Sequence, residues 1–217
     1  MKEVDGWICP DLLSGPGNYM NRGKALLEVV VPLMDKFDLA FQAGGHIGTV
    51  PVLLAKHFKK VITFEADREN YHCLQMNTPE YMTGPNSKIL SFHAALSRDV
   101  GKVGLSRSKR STGQHMIKPD GTDIFSYSVD YMMKSMSSHG DLMACDLLML
   151  DIEGYEMEAL KGATETLRKH KPLVVAEENK RCLAFGYKYG DIERYLKKFG
   201  YSQIATHGED LIFKHNA

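Results

Sequence analysis

The sequence predicts an α/β protein: a mostly parallel sheet with helices on both faces, closed by a C-terminal antiparallel hairpin. Three observations carry this. Short apolar runs alternate with helical segments along most of the 217 residues. Runs such as Leu147–Leu150 are apolar throughout, as strands buried on both faces are. The last two runs, Ser202–Thr206 and Leu211–Lys214, are joined by a short turn containing Gly208, which suits a hairpin.

Residues 1–23 contain Pro10, Pro16, Gly6, Gly15 and Gly17 and read as an irregular lead-in or a flap over a site. Residues 24–217 read as one domain, long enough to bury a full core. Lys24–Phe37 has helical spacing through Leu26, Leu27, Val30 and Met34, with Pro32 set to kink or split it. Leu39–Ala43 is a strand, Thr49–Phe58 a helix, Val61–Phe64 a strand, Asp67–Asn77 a helix and Lys88–Phe92 a strand. The stretch from Ser97 to Cys145 is less regular, with strands at Gly101–Leu105 and Ser126–Val129 and a helix at Asp130–Met136. Leu147–Asp151 is a strand, Met157–Lys169 a helix, Leu173–Ala176 a strand and Asp191–Phe199 a helix.

Lys plus Arg and Asp plus Glu balance at 27 each, unlike a dedicated nucleic-acid binder, which is strongly basic. No apolar stretch reaches the length of a membrane span, and no basic-then-apolar leader opens the chain, so a cytoplasmic protein is expected. The four cysteines, Cys9, Cys73, Cys145 and Cys182, are scattered and read as reduced thiols.

The chemistry concentrates where predicted strands end. Gly44, Glu65, His93 and Asp151 each lie at a strand's carboxyl end, where such sheets bind ligands. In Gln42-Ala43-Gly44-Gly45-His46-Ile47-Gly48 the glycines allow a sharp turn and expose backbone N–H groups at a helix start. The alternative is an ordinary strand-to-helix turn. About twenty residues on, Glu65 is placed to accept both hydroxyls of a ribose, or simply to sit at the start of a helix. His46 reads as a general base or as a turn-filling polar residue. His93, with the backbone of Ala94, reads as a flank for an adenine ring or as a loop histidine. Asp151 and Glu153 stand at the mouth of an apolar strand, where they orient a cation, accept a proton or bind a metal; otherwise they cap the next helix. Glu177 or Glu178 lines the substrate side or forms an ion pair. Asp151, Glu178 and Asn179 together make an oxygen-rich set of the magnesium type, although no metal is assigned. The basic run Arg107–Lys118 is a solvated loop or a seat for an anionic acceptor.

The order of these residues resembles the FkbM-type methyltransferases, a class I, S-adenosylmethionine-dependent branch. The likeness spans about residues 38 to 213. Gln42 to Gly48 stands where that family has Asp-Val-Gly-Ala-Asn-x-Gly, and Phe64-Glu65-Ala66 where it has Phe-Glu-Pro. Asn70 and Asn77 follow as they often do in the family, and Ala95-Leu96-Ser97 with Gly101 matches its third-strand exit. Asp151-Ile152-Glu153-Gly154-Tyr155-Glu156, continuing to Leu160-Lys161-Gly162-Ala163, matches its most specific stretch. Two residues depart: Gln42 replaces an acid that helps hold the amino-acid end of the cofactor, and Met149 replaces a lysine.

The resemblance implies a Rossmann-like, seven-stranded fold with a reversed last hairpin. It implies S-adenosylmethionine as cofactor and a hydroxyl of a sugar, glycan or other small metabolite as methyl acceptor. It assigns Gln42, Gly44, Gly45, His46 and Gly48 to the methionine end, Glu65 to the ribose, and His93 and Ala94 to the adenine. Asp151 and Glu153 are the catalytic pair. Two rivals remain. Ala43-x-Gly45-x-x-Gly48 with Glu65 also approximates a dinucleotide fingerprint, the mark of an NAD(P)-dependent oxidoreductase. Gln42 also suits a cofactor-binding or partner-binding protein that has lost turnover. No Asn-Pro-Pro-Tyr-like motif points to base methylation.

Overall fold

The computed structural model describes residues 1–13, 15–82, 87–138 and 144–216. The chain opens with a hairpin, β1 (Lys2–Val4) and β2 (Trp7–Cys9), turned at Asp5-Gly6. Helix α1 (Pro16–Val30) follows, and a short 3-10 turn at Val31–Leu33 ends it. The helix thus starts eight residues before the expected Lys24. Proline is well suited to the first helical turn, where its missing N–H costs nothing. Pro32, which cannot donate a helical hydrogen bond, lies where the helix gives way to the tighter turn.

The alternation then runs as expected through β3 (Leu39–Ala43), α2 (Thr49–Ala55), β4 (Lys60–Glu65), α3 (Arg68–Asn77) and β5 (Ile89–His93), except that α2 stops short of Phe58 and a short helix, α4 (Pro79–Met82), precedes β5. Asp67 caps α3, its carboxylate accepting the N–H groups of Glu69 and Asn70. An inserted small sheet comes next, built from β6 (Ala95–Leu96), β7 (Gly101–Ser106), β8 (Met116–Lys118) and β9 (Ile124–Tyr127). Then follow α5 (Val129–Ser138), β10 (Cys145–Leu150), α6 (Glu156–Lys161), α7 (Thr164–Lys169), β11 (Leu173–Glu177), a 3-10 turn at Lys180–Phe185, α8 (Asp191–Lys197), β12 (Tyr201–His207) and β13 (Asp210–His215). The single helix expected over Met157–Lys169 is two, broken at Gly162-Ala163.

The main sheet has seven strands in the order β12-β13-β11-β10-β3-β4-β5. From β11 to β5 all neighbours are parallel, and β13 is antiparallel to both β11 and β12. The chain enters at β3, winds outward to β5, returns to β10 beside β3 and winds the other way. Strand order therefore reverses between β3 and β10, which is where such sheets open a crevice. Successive side chains of each strand serve opposite faces. Leu39, Phe41, Ile62, Phe64, Leu148 and Leu150 pack against residues of α5 to α8. Ala40, Val61, Leu147, Met149 and Val175 pack against α1 and α2 through Leu27, Val30, Leu53 and Leu54. All four cysteines are free and buried. Among the described residues no helix is long and apolar enough to cross a membrane.

Candidate active site

Parallel register aligns the strand ends on one rim: Ala43 stands beside Phe64 and Leu150, and Ala176 beside Leu150. A cavity of about 790 Å³ opens there, lined by residues from the glycine turn, β4, β6, the β7–β8 connection, the exits of β10 and β11, α1 and the β12–β13 turn.

The glycine turn forms one wall. Gly44 is left-handed, with φ +87°, and the N–H groups of Gly44 and Gly45 both donate to the Phe64 carbonyl at 3.0 and 2.9 Å. His46 is left-handed as well, with φ +49°. Glu65, at the end of β4, is buried, and its oxygens accept the His46 and Asp67 N–H groups, each at 2.7 Å. Burial pushes its carboxyl up to about 7, against the pull of those two N–H groups. The Asn70 side chain also hydrogen-bonds to this carboxylate, and two oxygens have lone pairs enough for further donors. His46 is also buried; its Nε2 lies 2.8 Å from Thr112 Oγ1, and the Tyr19 ring of α1 lies tilted against its ring, centroids 4.6 Å apart. Burial lowers its imidazole to about 4, so it is neutral at pH 7 and holds its proton too weakly to serve as an effective base there.

Carboxylates form the adjoining wall. Asp151 follows β10 directly and is open to the cavity, yet walled by protein. That desolvation raises its carboxyl, while Arg22 and Arg181 draw it down. Glu153 is left-handed at φ +60° and pairs with Arg181. Burial and Asp151 push it up to about 7, against Arg181. Gly154, at φ +98°, packs so tightly on the next turn that a β-carbon there would lie 2.5 Å from the Arg181 carbonyl carbon. Glu156 is buried under the loop and accepts the N–H groups of Ile152 at 2.9 Å and Gly154 at 3.3 Å. Burial pushes it up to about 8. Glu177 ends β11, with Asn179 Nδ2 donating to it at 2.6 Å, and burial beside Asp151 raises its carboxyl too. Asp151, Glu153 and Glu177 each offer an oxygen within 4.8 Å of the others, a set suited to a hard cation or a shared proton.

Of the expected site residues, Gly44, Gly45, His46, Glu65, Ala94, Asp151 and Glu153 share this cavity. Gln42, Gly48 and His93 do not line it. Gln42 is buried behind the turn: its amide donates to the carbonyls of Ala43 and Gly44 at 3.1 and 2.9 Å, and the Thr63 hydroxyl donates to its Oε1. Gly48 caps α2. His93 is exposed, stacked on Tyr71, with Nε2 3.2 Å from the Ala66 carbonyl. Glu178 turns away, both oxygens accepting the Gly190 N–H, so Glu177 and not Glu178 is the acid at the cavity. In the basic run, Arg107 pairs with buried Asp67 at 2.7 Å, and Ser111–His115 reach the cavity in place of its lysines. Arg22, Arg181 and Asp210 also line it and were not anticipated. Burial and neighbouring Asp151 push Asp210 up to about 7.

Comparison with solved structures finds an FkbM methyltransferase from Methylobacillus flagellatus KT at TM-score 0.58 and 19% identity, covering 82% of this chain and 44% of that one. The chain therefore spans less than half the length of that relative. Magnesium protoporphyrin IX methyltransferase from Synechocystis PCC 6803, solved with bound SAM, aligns at TM-score 0.54 and 13% identity over 92% of this chain and 81% of that one. A precorrin 8w decarboxylase from Methanobacterium thermoautotrophicum aligns at TM-score 0.50 and 14% identity over 99% of both chains. At such identities these likenesses establish the fold alone. No curated protein matches by sequence. The Methyltransferase FkbM domain matches residues 42–202, three quarters of the chain and both walls of the cavity apart from α1 and the β12–β13 turn. The chain belongs to the FkbM methyltransferase family.

Proposed function

We propose that this protein transfers a methyl group from S-adenosylmethionine to a hydroxyl oxygen of a sugar, glycan or other polar small molecule. One observation carries the reading: a glycine turn with a ribose-type acid and a cluster of carboxylates line one cavity at the sheet's switch point. The residues present suit the cofactor. Glu65 has lone pairs for a diol, and His46 Nδ1 and Asn70 Oδ1, both buried on residues that line the cavity, make no hydrogen bond within the protein.

When bound, S-adenosylmethionine supplies a methyl carbon on a positively charged sulfur, which already carries the driving force. Glu65 would hold the ribose, the Gly44–His46 backbone would border the methionine end, and Ala94 would border the adenine. Gln42 serves from behind by bracing the turn. Asp151, open to the cavity, accepts a hydrogen bond from the acceptor hydroxyl. Bound there, the cofactor would supply its methyl carbon to the acceptor oxygen, and Asp151 would take the proton that the hydroxyl gives up. Glu153, restrained by Arg181, keeps that proton within the carboxylate cluster. Holding donor and acceptor in line accounts for much of the acceleration.

The acceptor half presents Asp151, Glu153, Glu177, Glu209 and Asp210 to Arg22, Lys180 and Arg181. This polar, acid-rich lining favours hydroxyl-rich acceptors over anionic ones. Isothermal calorimetry with S-adenosylmethionine, S-adenosylhomocysteine and NAD tests the cofactor. Transfer of labelled methyl to a panel of sugars, nucleotide sugars and small alcohols tests the acceptor. Binding of NAD alone would overturn the reading.

A further inference from the structure

We propose that Thr112 is a positioning residue for the cofactor, its hydroxyl fixing the His46 imidazole and its carbonyl fixing the Asn70 amide. The inference rests on the methyl-donor reading above and deepens it.

The β7–β8 connection passes over the cavity as a strap, and Ser111–His115 form part of the lining. Arg107 ties one end to Asp67 at 2.7 Å, and Tyr19 OH lies 3.4 Å from Ser111 Oγ. At its centre, buried Thr112 meets the glycine turn and α3. Its Oγ1 lies 2.8 Å from His46 Nε2 on the glycine turn, and its carbonyl accepts Asn70 Nδ2 at 2.9 Å from α3.

His46 is 9% exposed and Asn70 2%, and each spends one polar atom on Thr112. The other polar atom of each, His46 Nδ1 and Asn70 Oδ1, is covered and makes no hydrogen bond. A buried polar atom without a partner costs about 1–3 kcal/mol, so two converging on one residue need an explanation. A polar ligand entering between the strap and the glycine turn supplies the missing partners. The ribosyl and amino-acid portions of an adenosyl cofactor carry hydroxyls, an amine and a carboxylate of the right kind.

The imidazole is neutral in this setting, desolvated and with His115 and Asp67 as its charged neighbours. One ring nitrogen therefore carries the proton and the other accepts. The Thr112 hydroxyl can donate to Nε2 or accept from it, so the contact fixes the ring in place and leaves Nδ1 for the ligand.

The probe is S-adenosylhomocysteine, followed by calorimetry and by nitrogen-15 resonances of the histidine rings. We expect Thr112→Val to weaken its binding about tenfold and to lower the denaturation midpoint, since His46 Nε2 loses its partner, and Thr112→Ser to restore both. In wild type, the His46 Nδ1 resonance should shift on addition of the probe. Thr112→Val should reduce that shift at matched occupancy, because the ring is no longer held. A Thr112→Val protein that binds as wild type does overturns the proposal alone. If that variant does not fold, an Nδ1 resonance in wild type that ignores bound probe overturns it equally. A wild-type protein that does not bind the probe overturns the methyl-donor reading itself.

Discussion

Gly44 and Asp151 touch through their backbones: a β-carbon on Gly44 would lie 1.9 Å from the Asp151 carbonyl oxygen. The Asp151 N–H also donates to the Ala43 carbonyl at 3.1 Å. The two walls of the cavity are therefore set against each other at one point, with no room for a side chain between them. Gly44→Ala meets both the clash and a left-handed backbone, and should destabilise the fold by about 3 kcal/mol. Urea denaturation checks this; an unchanged midpoint contradicts it.

Glu65 serves two purposes, holding the glycine turn through the His46 N–H and offering lone pairs to a ribose. Glu65→Ala should weaken S-adenosylhomocysteine binding about a hundredfold, since it removes two hydrogen bonds to a charged group. Glu65→Gln should lose less. The ionised form is the better acceptor, and the group titrates at about 7. Wild-type affinity should therefore fall as pH drops below 7, in a calorimetric series that Glu65→Gln flattens.

The buried acids predict how stability depends on pH. Glu153 and Asp210 are raised to about 7 and Glu156 to about 8, so the folded protein holds these protons more tightly than the unfolded chain. Their contribution is fully present below the ordinary carboxylate range and is lost as pH rises through 7 and 8. His46, lowered to about 4, acts in the opposite sense, but only below pH 6.5. The melting temperature of the ligand-free protein should thus fall from about pH 5 to 8, the three acids outweighing His46, and level off above. Glu156→Gln can keep the hydrogen bonds to Ile152 and Gly154 and should make that slope shallower.

Asp151→Asn keeps the size of the side chain and its ability to accept a hydrogen bond but removes its capacity to take a proton. It should cut kcat about a hundredfold or more, within the range for general base catalysis, and leave S-adenosylhomocysteine affinity within about twofold. Steady-state kinetics on an acceptor drawn from the panel, beside calorimetry, separates the two effects. Intact turnover makes Asp151 structural.

The sheet was legible because its strands are written as apolar runs. Leu39–Ala43 and Leu147–Leu150 need no tertiary context to read as buried strands. Glycine and acid at strand ends then located the rim. What escaped notice depends on long-range contact. The first hairpin announces itself only by Asp5-Gly6, a pair suited to a tight turn, because its strands are three residues long. The start of α1 was hidden by Gly17 and Gly23, poor helix formers that packing overrides. Gln42 was expected at the cofactor on family pattern. The side chain instead follows β alternation to the far face of β3, where Thr63 receives it. Glu177 and Glu178 cannot be told apart by composition, and only the hydrogen bond of Glu178 to Gly190 shows which faces the cavity. The strap around Thr112 is polar and aperiodic, and its role emerges solely from what it touches.

The most direct test is a crystal structure of the protein with S-adenosylhomocysteine. The account predicts the ribose hydroxyls on Glu65, the adenine beside Ala94 and the sulfur facing Asp151 and Glu153. A ligand lodged away from the rim formed by β3, β4 and β10 would contradict it.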